Sequence, residues 1–318
     1  MHPQESSESI MNASKKTGLV ILFAALAGCS ANPMTGRSQL SLVSENSVIS
    51  QAKSAYTQEL APWDKKGKVN NNPALKARVD GITNRLVAQA IRYRPDSAKW
   101  DWQVAVIDDP ETLNAFCLPG GRMAIYTGLI NKLDATDDEI AQVMGHEIGH
   151  ALANHGAEKM SNAVLAKGVV VVAAAASGDK NQKAVMAAGT ALAELGWLLP
   201  NSRGAETEAD RIGIEIAARA GFDPAAAVSL WKKMMAANGK GPPQFLSTHP
   251  APATRIKDLS ALVPHMQPLY AEAPRTPVGP PSRTADNVRD VTSGGTAPAP
   301  KALTLIPIPD KDDKKAPR

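Results

Sequence analysis

Apolar positions recur at helical spacing over residues 44–60 and 73–94, and Pro62 and the Asn70-Asn71-Asn72-Pro73 run punctuate the chain between them. From Trp100 to Ile107 the period shortens to two, which predicts a strand, and Asp108-Asp109-Pro110 stops it. A second apolar strand runs from Met123 to Tyr126, after the turn Asn114-Ala115-Phe116-Cys117-Leu118-Pro119-Gly120-Gly121. Thr136 and Glu139 match a capping box and open a helix that runs to about His155. Further helical patterns cover Gly204–Ala220, stopped by Gly221, a segment opened by Asp223-Pro224, and 251–262 after His249-Pro250. Two Ala-rich stretches, 163–177 and 184–199, read as a helical hairpin. The first is shorter than the roughly twenty residues a membrane span needs, so it is expected to be buried or interfacial.

The ends of the chain follow a different pattern. Lys15 and Lys16 precede an apolar run from Leu19 to Ala27, the layout of a signal peptide, which makes Met11 the expected initiator. The run ends in Leu26-Ala27-Gly28-Cys29-Ser30, which resembles a bacterial lipobox. That resemblance implies removal of residues 1–28, lipidation of Cys29 and a tether over 29–44. Ser30 after the cysteine implies the outer membrane, with the mature protein lipid-anchored and facing the periplasm. Residues 264–318 hold eleven of the 24 prolines, so this segment is expected to be a disordered tail without chemistry. The folded unit expected is 45–263.

Composition narrows the function classes. With 43% hydrophobic and 21% charged residues the chain reads as globular, and two cysteines exclude a disulfide scaffold or a cysteine-based zinc finger. Of the formal net charge of +4, residues 264–318 account for half. What remains is too little for a nucleic-acid footprint, and an aromatic content of 4% argues against base stacking.

The chemistry concentrates in His146-Glu147-Ile148-Gly149-His150. Histidines at i and i+4 project from one helix face, one turn apart, so both imidazoles can converge on one ion. Glu147 is rotated by about 100° from His146 and lies beside the ion, where the general base for a metal-activated water belongs. Gly145 and Gly149 each cost the helix about 1 kcal/mol relative to Ala, so something needs the space they free. A catalytic zinc takes three protein ligands, and a third must come from elsewhere. His155 fails the spacing of a metzincin and is expected to cap or pack the helix end. Glu206 and Asp210 stand at i and i+4 on the 204–220 helix, so one carboxylate can ligate while the other receives an imidazole N–H. Glu208 falls on another face and is expected to meet solvent or a salt bridge.

Four separated motifs occur in order: Asn114-Ala115-Phe116…Pro119-Gly120-Gly121, His146–His150, Ser202-Arg203-x-x-Glu206-x-x-x-Asp210 and Thr248-His249-Pro250…Arg255. Together they resemble the gluzincin family of the CAAX prenyl protease, HtpX and Oma-type endopeptidases, and Thr35-Gly36-Arg37-Ser38-Gln39-Leu40 is similar to the start of its periplasmic lipoprotein members. The resemblance spans about 35–262. It implies that His146, His150 and Glu206 bind one Zn2+, that Glu147 activates water and that Asp210 supports His146. It further implies that Asn114 and Ala115 bind a substrate peptide lying along an edge strand near Gly120–Ala124. His249 and Arg255 would face the cleft and stabilise the oxyanion, or His249 would occupy the fourth zinc position at rest. Cys117 stands where the family commonly has a small apolar residue, and it is expected to pack rather than to act as a nucleophile.

These readings combine into a mostly helical α+β metallopeptidase domain with a small sheet over the cleft. The expected function is zinc-dependent endoproteolysis of misfolded periplasmic or outer-membrane proteins, with polypeptide substrates, envelope partners and no nucleic acid. The alternative is a zinc-containing chaperone or assembly factor for outer-membrane proteins whose hydrolysis is secondary.

Overall fold

The computed structural model describes residues 28–176, 201–237, 244–249, 252–273 and 302–308. The predicted 184–199 helix, and with it the hairpin, lies outside them, as do residues 1–27 of the expected signal peptide and most of the tail. Two compact units divide the chain, one within Met1–Asn32, Gly36–Val48 and Asn154–Leu199, the other within Pro33–Thr35, Ile49–Ala153 and Pro200–Arg318.

In the first unit, strands β1 (Cys29–Ala31) and β2 (Ser38–Leu40) pair antiparallel, Ser30 opposite Gln39. Helix α5 (His155–Ala176) adjoins them: Arg37 grips Glu158 with two hydrogen bonds of 2.9 and 2.7 Å, and the Val43 N–H donates to Ser161 Oγ at 3.1 Å. Residues expected as a tether are therefore a bonded hairpin. The apolar 163–177 pattern is the second half of α5, which starts eight residues earlier than read.

The second unit holds the core. Helix α1 (Glu45–Asp64) runs through Pro62, which falls in its last turn; α2 (Pro73–Tyr93) is capped by Asn72, whose side chain accepts from Leu75 N–H at 3.1 Å. A 3₁₀ turn over Pro95–Lys99 leads to strand β3 (Gln103–Ile107). The stretch read as a turn contains strand β4 (Ala115–Leu118), and β5 (Arg122–Tyr126) returns beside it. Strand order is β3-β5-β4, β5 parallel to β3 and antiparallel to β4, with Met123 between Val104 and Cys117. All of β5 is buried because both faces are covered: Met123 and Ile125 enter the main core, while Ala124 and Tyr126 pack on Tyr56 of α1. The edge strand expected near Gly120–Ala124 is thus the central strand, with β3 and β4 at the edges.

Short helix α3 (Thr127–Lys132) leads to α4 (Asp137–Leu152), which packs against α2, β4 and helices α6 (Arg203–Arg219) and α7 (Ala226–Ala236). A short helix α8 (Gln244–Thr248) precedes α9 (Pro252–Glu272). The 251–262 pattern stops ten residues short of the end of α9. Pro264 and Pro268 stand four residues apart on its exposed side, where their missing N–H groups and ring clashes fall away from the fully buried Met266. Mostly helical with two small sheets, the fold is α+β as expected.

Candidate metal centre

The capping box at the start of α4 is present: Thr136 Oγ1 accepts from Glu139 N–H at 3.2 Å, and Glu139 Oε2 accepts from Thr136 N–H at 3.0 Å. Ser202 caps α6 by accepting from Ala205 N–H at 3.1 Å. Where the two helices cross at Gly145, Gly149 and Gly213, their backbones come into direct contact. A Cβ on Gly145 would stand 2.9 Å from Gly213 O, one on Gly149 2.9 Å from Ala209 O, and one on Gly213 2.6 Å from His146 N. The α6 backbone fills the space that the two α4 glycines leave. That close crossing carries Glu206 to the histidines.

Among the described residues His146, His150, Glu206 and His249 offer donor atoms that all lie within 4.8 Å of one another, and all four are buried. His146 Nε2 lies 3.1 Å from His150 Nε2 and 3.4 Å from Glu206 Oε2, and His150 Nε2 lies 3.3 Å from Glu206 Oε1. His249 Nδ1 lies 3.2 Å from His146 Nε2 and 3.0 Å from both Glu206 oxygens. Metal–donor bonds of about 2.0–2.1 Å place the corners of a tetrahedron about 3.3–3.4 Å apart. The separations here are close to that, so the donor set fits a small tetrahedral cation in both chemistry and spacing. Phe245 stacks on the His249 ring at 4.2 Å, and the His249 N–H donates to Phe245 O at 2.9 Å.

The surrounding charges are ordered by Arg255. Its Nε and Nη2 donate to Asp210 Oδ2 and Oδ1 at 2.7 and 2.5 Å, and Nη1 donates to Glu206 Oε2 at 2.6 Å. The guanidinium lies over Trp231 at 3.9 Å and is 5% exposed. It is committed to two carboxylates of the centre, and its Nη2 also lies 3.1 Å from His146 Nδ1. Asp210 Oδ1 lies 3.0 Å from His146 Nδ1, the placement expected of the residue that orients that ring. Burial pushes the Asp210 carboxyl up, but Arg255 and His146 more than reverse it and hold it low. At Glu206 burial acts in the same upward sense, and hydrogen bonds with His146, His150 and His249 hold the carboxyl far below its usual range.

Glu147 differs. Its Oε1 is buried without a hydrogen-bond partner, 3.5 Å from His249 Nε2, and burial raises its pKa. Cys117 on β4 is buried, its thiol pushed well up by burial and by the charge of Glu147, which makes it packing material. Glu208 accepts from Thr35 Oγ1 at 2.5 Å, and His155 is buried at the start of α5 outside the cluster.

The expected substrate residues divide. Ala115 opens the edge strand β4, which packs against α4, and Asn114 turns its side chain back to accept from Ala115 N–H at 3.0 Å. Gly120 and Gly121 form the β4–β5 turn, both at φ +86°, where a Cβ would meet Ile49 at 2.8 Å and Trp102 at 2.7 Å. Their demand for glycine is structural. Sequence reading missed Phe245 and Trp231; for Phe245 the one signal was an aromatic one helical turn before His249.

Comparison with known proteins agrees with this geometry. The model of Peptidase family M48 matches residues 73–263. The chain is 32% identical over 237 residues, 74% of its length, to "Mitochondrial metalloendopeptidase OMA1" of Schizosaccharomyces pombe, of which that span is 66%. It is 29% identical over 257 residues to "Metalloendopeptidase OMA1, mitochondrial" of Homo sapiens, 78% of this chain and 48% of the relative. To the "Beta-barrel assembly-enhancing protease" of Escherichia coli K12 it is 30% identical over 210 residues, 64% of this chain and 42% of the relative. The chain thus spans less than two thirds of the length of these relatives. The matched family region takes in the histidine pair, both α6 carboxylates, His249 and Arg255, and the chain belongs to peptidase family M48.

Proposed function

We propose that the protein is a zinc metalloendopeptidase of the bacterial cell envelope, cutting misfolded periplasmic or outer-membrane polypeptides. The observation that carries this reading is the convergence of His146, His150 and Glu206 at tetrahedral spacing beside a buried carboxylate, Glu147, with one oxygen unpartnered. His146, His150 and Glu206 would hold the zinc, which when bound would supply Lewis acidity to a peptide carbonyl and to a neighbouring water. Glu147 takes that water's proton at Oε1 and passes it to the leaving amide nitrogen, and its burial, which raises its pKa, favours holding a proton in transit. Asp210 accepts the Nδ1–H of His146, which turns the Nε2 lone pair toward the centre. Arg255 is a positioning residue for both carboxylates. His249 stands at the fourth corner, and a substrate carbonyl needs that corner. The edge strand β4 offers extended main chain for a substrate to pair with.

Placement at the membrane belongs to the same reading: residues 1–28 as a signal and Cys29 as an acylated anchor to the outer membrane, with the domain in the periplasm. The cysteine is exposed at the head of β1.

Purified protein is expected to contain one zinc per chain and to cleave casein, with activity lost to a chelator and restored by zinc. Glu147→Gln should retain the metal and lose about 10²–10⁴-fold in turnover. The second reading, an assembly factor whose hydrolysis is secondary, draws on the free edge of β4 and on the relative named for β-barrel assembly. It prevails if Glu147→Gln leaves the biological function intact.

A further inference from the structure

The segment Leu303–Ile308 lies in the tail, after a Pro-, Ser-, Thr- and Gly-rich stretch over 274–301, yet the second unit holds it by its main chain. The Leu303 N–H donates to Arg92 O on α2 at 2.8 Å. The Ile306 N–H donates to the Glu215 carboxylate, 3.2 and 3.1 Å from its two oxygens, and Arg211 Nη2 donates to Ile306 O at 2.6 Å. Arg211 Nη1 also donates to Glu215 Oε2 at 2.6 Å. Two α6 side chains, one turn apart, therefore satisfy both main-chain groups of a single residue. A neighbouring antiparallel strand offers a residue the same pair of bonds.

The receiving carboxylate is built in advance. Glu215 is fully buried and is held independently by the Tyr93 hydroxyl and by Arg219, whose Nε and Nη2 both donate at 3.2 Å. Along the segment Leu303, Leu305, Ile306 and Ile308 pack against the core half-buried, while Ala302, Thr304 and Pro307 are exposed. The segment is seated on the surface of the unit, not threaded through it. Beyond Ile308 the groove opens into a cavity of about 510 Å³ bordered by Arg211, Asp258 and His265 and, on the side of the metal centre, by Asp210 and Arg255.

We propose that this face of α2, α6 and α9 is a second peptide-binding site, separate from the metal cluster, which grips an extended apolar segment by its main chain. Its resident occupant is the chain's own Leu303–Ile308, seated reversibly. Tethering gives the occupant a high effective concentration, so a free peptide of the same sequence competes against it. Occupancy bridges α2 to α6, the helix that carries Glu206 and Asp210. The proposal depends on neither zinc nor catalysis, and neither enters its test.

Hydrogen exchange on the full wild-type chain is the first measurement: the bonded amides of Leu303 and Ile306 should exchange at least roughly a hundredfold more slowly than that of Thr304. Fast exchange at Ile306 overturns the proposal. A fluorescent peptide spanning Lys301–Pro309 is then titrated into the full-length wild type and the full-length Ile306→Asp variant, which puts a charge where an apolar side chain packs against the core. The variant should bind it at least about tenfold more tightly, because its own tail no longer competes, and N-methylation of the peptide at Ile306 should abolish binding. Equal affinity for both chains, or indifference to N-methylation, overturns the proposal. So does a tail-dependent dimer that Ile306→Asp dissolves, since the occupant would then come from a second copy.

Discussion

At the scale of single residues, Arg255 shows how the buried charges of the centre are paired. Glu206 and Asp210 are both nearly inaccessible to water, and both carboxyls are held low. Arg255 bonds both, and Glu206 also faces the three histidines. His249 brings a fourth donor atom to the same cluster from a separate segment, and this sets the expectation for His249→Ala. With the fourth corner open the competent fraction rises, and casein turnover should increase several-fold at unchanged zinc content. A fall in turnover would instead make His249 a donor to the developing oxyanion. Spacing in the sequence revealed the histidine pair and the Glu206–Asp210 pair, because the helical repeat alone brings such side chains together. It did not reveal that Arg255 bonds both carboxylates, since no local pattern says what a guanidinium arriving from another helix will meet.

At the scale of elements, the centre depends on how closely α4 and α6 approach. Gly213→Ala would thrust a methyl group to within 2.6 Å of His146 N, and neither backbone can yield without moving a ligand. We expect it to destabilise the fold by about 1–3 kcal/mol and to weaken zinc retention in a chelator competition, where Gly204→Ala, with open surroundings, should do neither. The start of α4 is tied to α7 by Glu139, which accepts from Ser229 Oγ at 2.6 Å and Lys233 Nζ at 2.7 Å. Burial raises the Glu139 carboxyl, but these bonds and the capping box outweigh it and hold the group below its ordinary 4.5. A carboxyl depressed in the folded state stabilises above its unfolded pKa, and the contribution disappears as the pH falls through the folded value. Glu139→Gln should therefore melt roughly 2–4 °C below wild type at neutral pH, and the gap should close as the pH drops under 4.5. The glycines of α4 were legible as a demand for space. Their partner was not, because Gly213 and Ala209 are remote in sequence and carry no signal of their own.

At the scale of the whole molecule, no helix among the described residues is long and apolar enough to cross a membrane, and the attachment proposed is lipid on Cys29. Each buried methylene contributes about 0.8 kcal/mol, and several chains hold where one does not. The wild-type chain made in a bacterial host should enter the detergent phase on Triton X-114 partitioning, and Cys29→Ala should move it to the aqueous phase. Tail composition predicted disorder throughout 264–318, but α9 continues to Glu272 and Leu303–Ile308 is seated on α2 and α6. Average polarity conceals a short apolar alternation, and it conceals the one buried face of a helix whose prolines lie on the other. What the amino-acid order determined by itself was everything set by the repeat of one element: the ligand pairs, the caps, the alternating strands and the mostly helical class. Tertiary contacts alone select which donor pairs converge, which strand is central, what Arg255 bonds and what the tail touches. Those contacts join segments far apart in the chain, and close packing between backbones, not local periodicity, selects them.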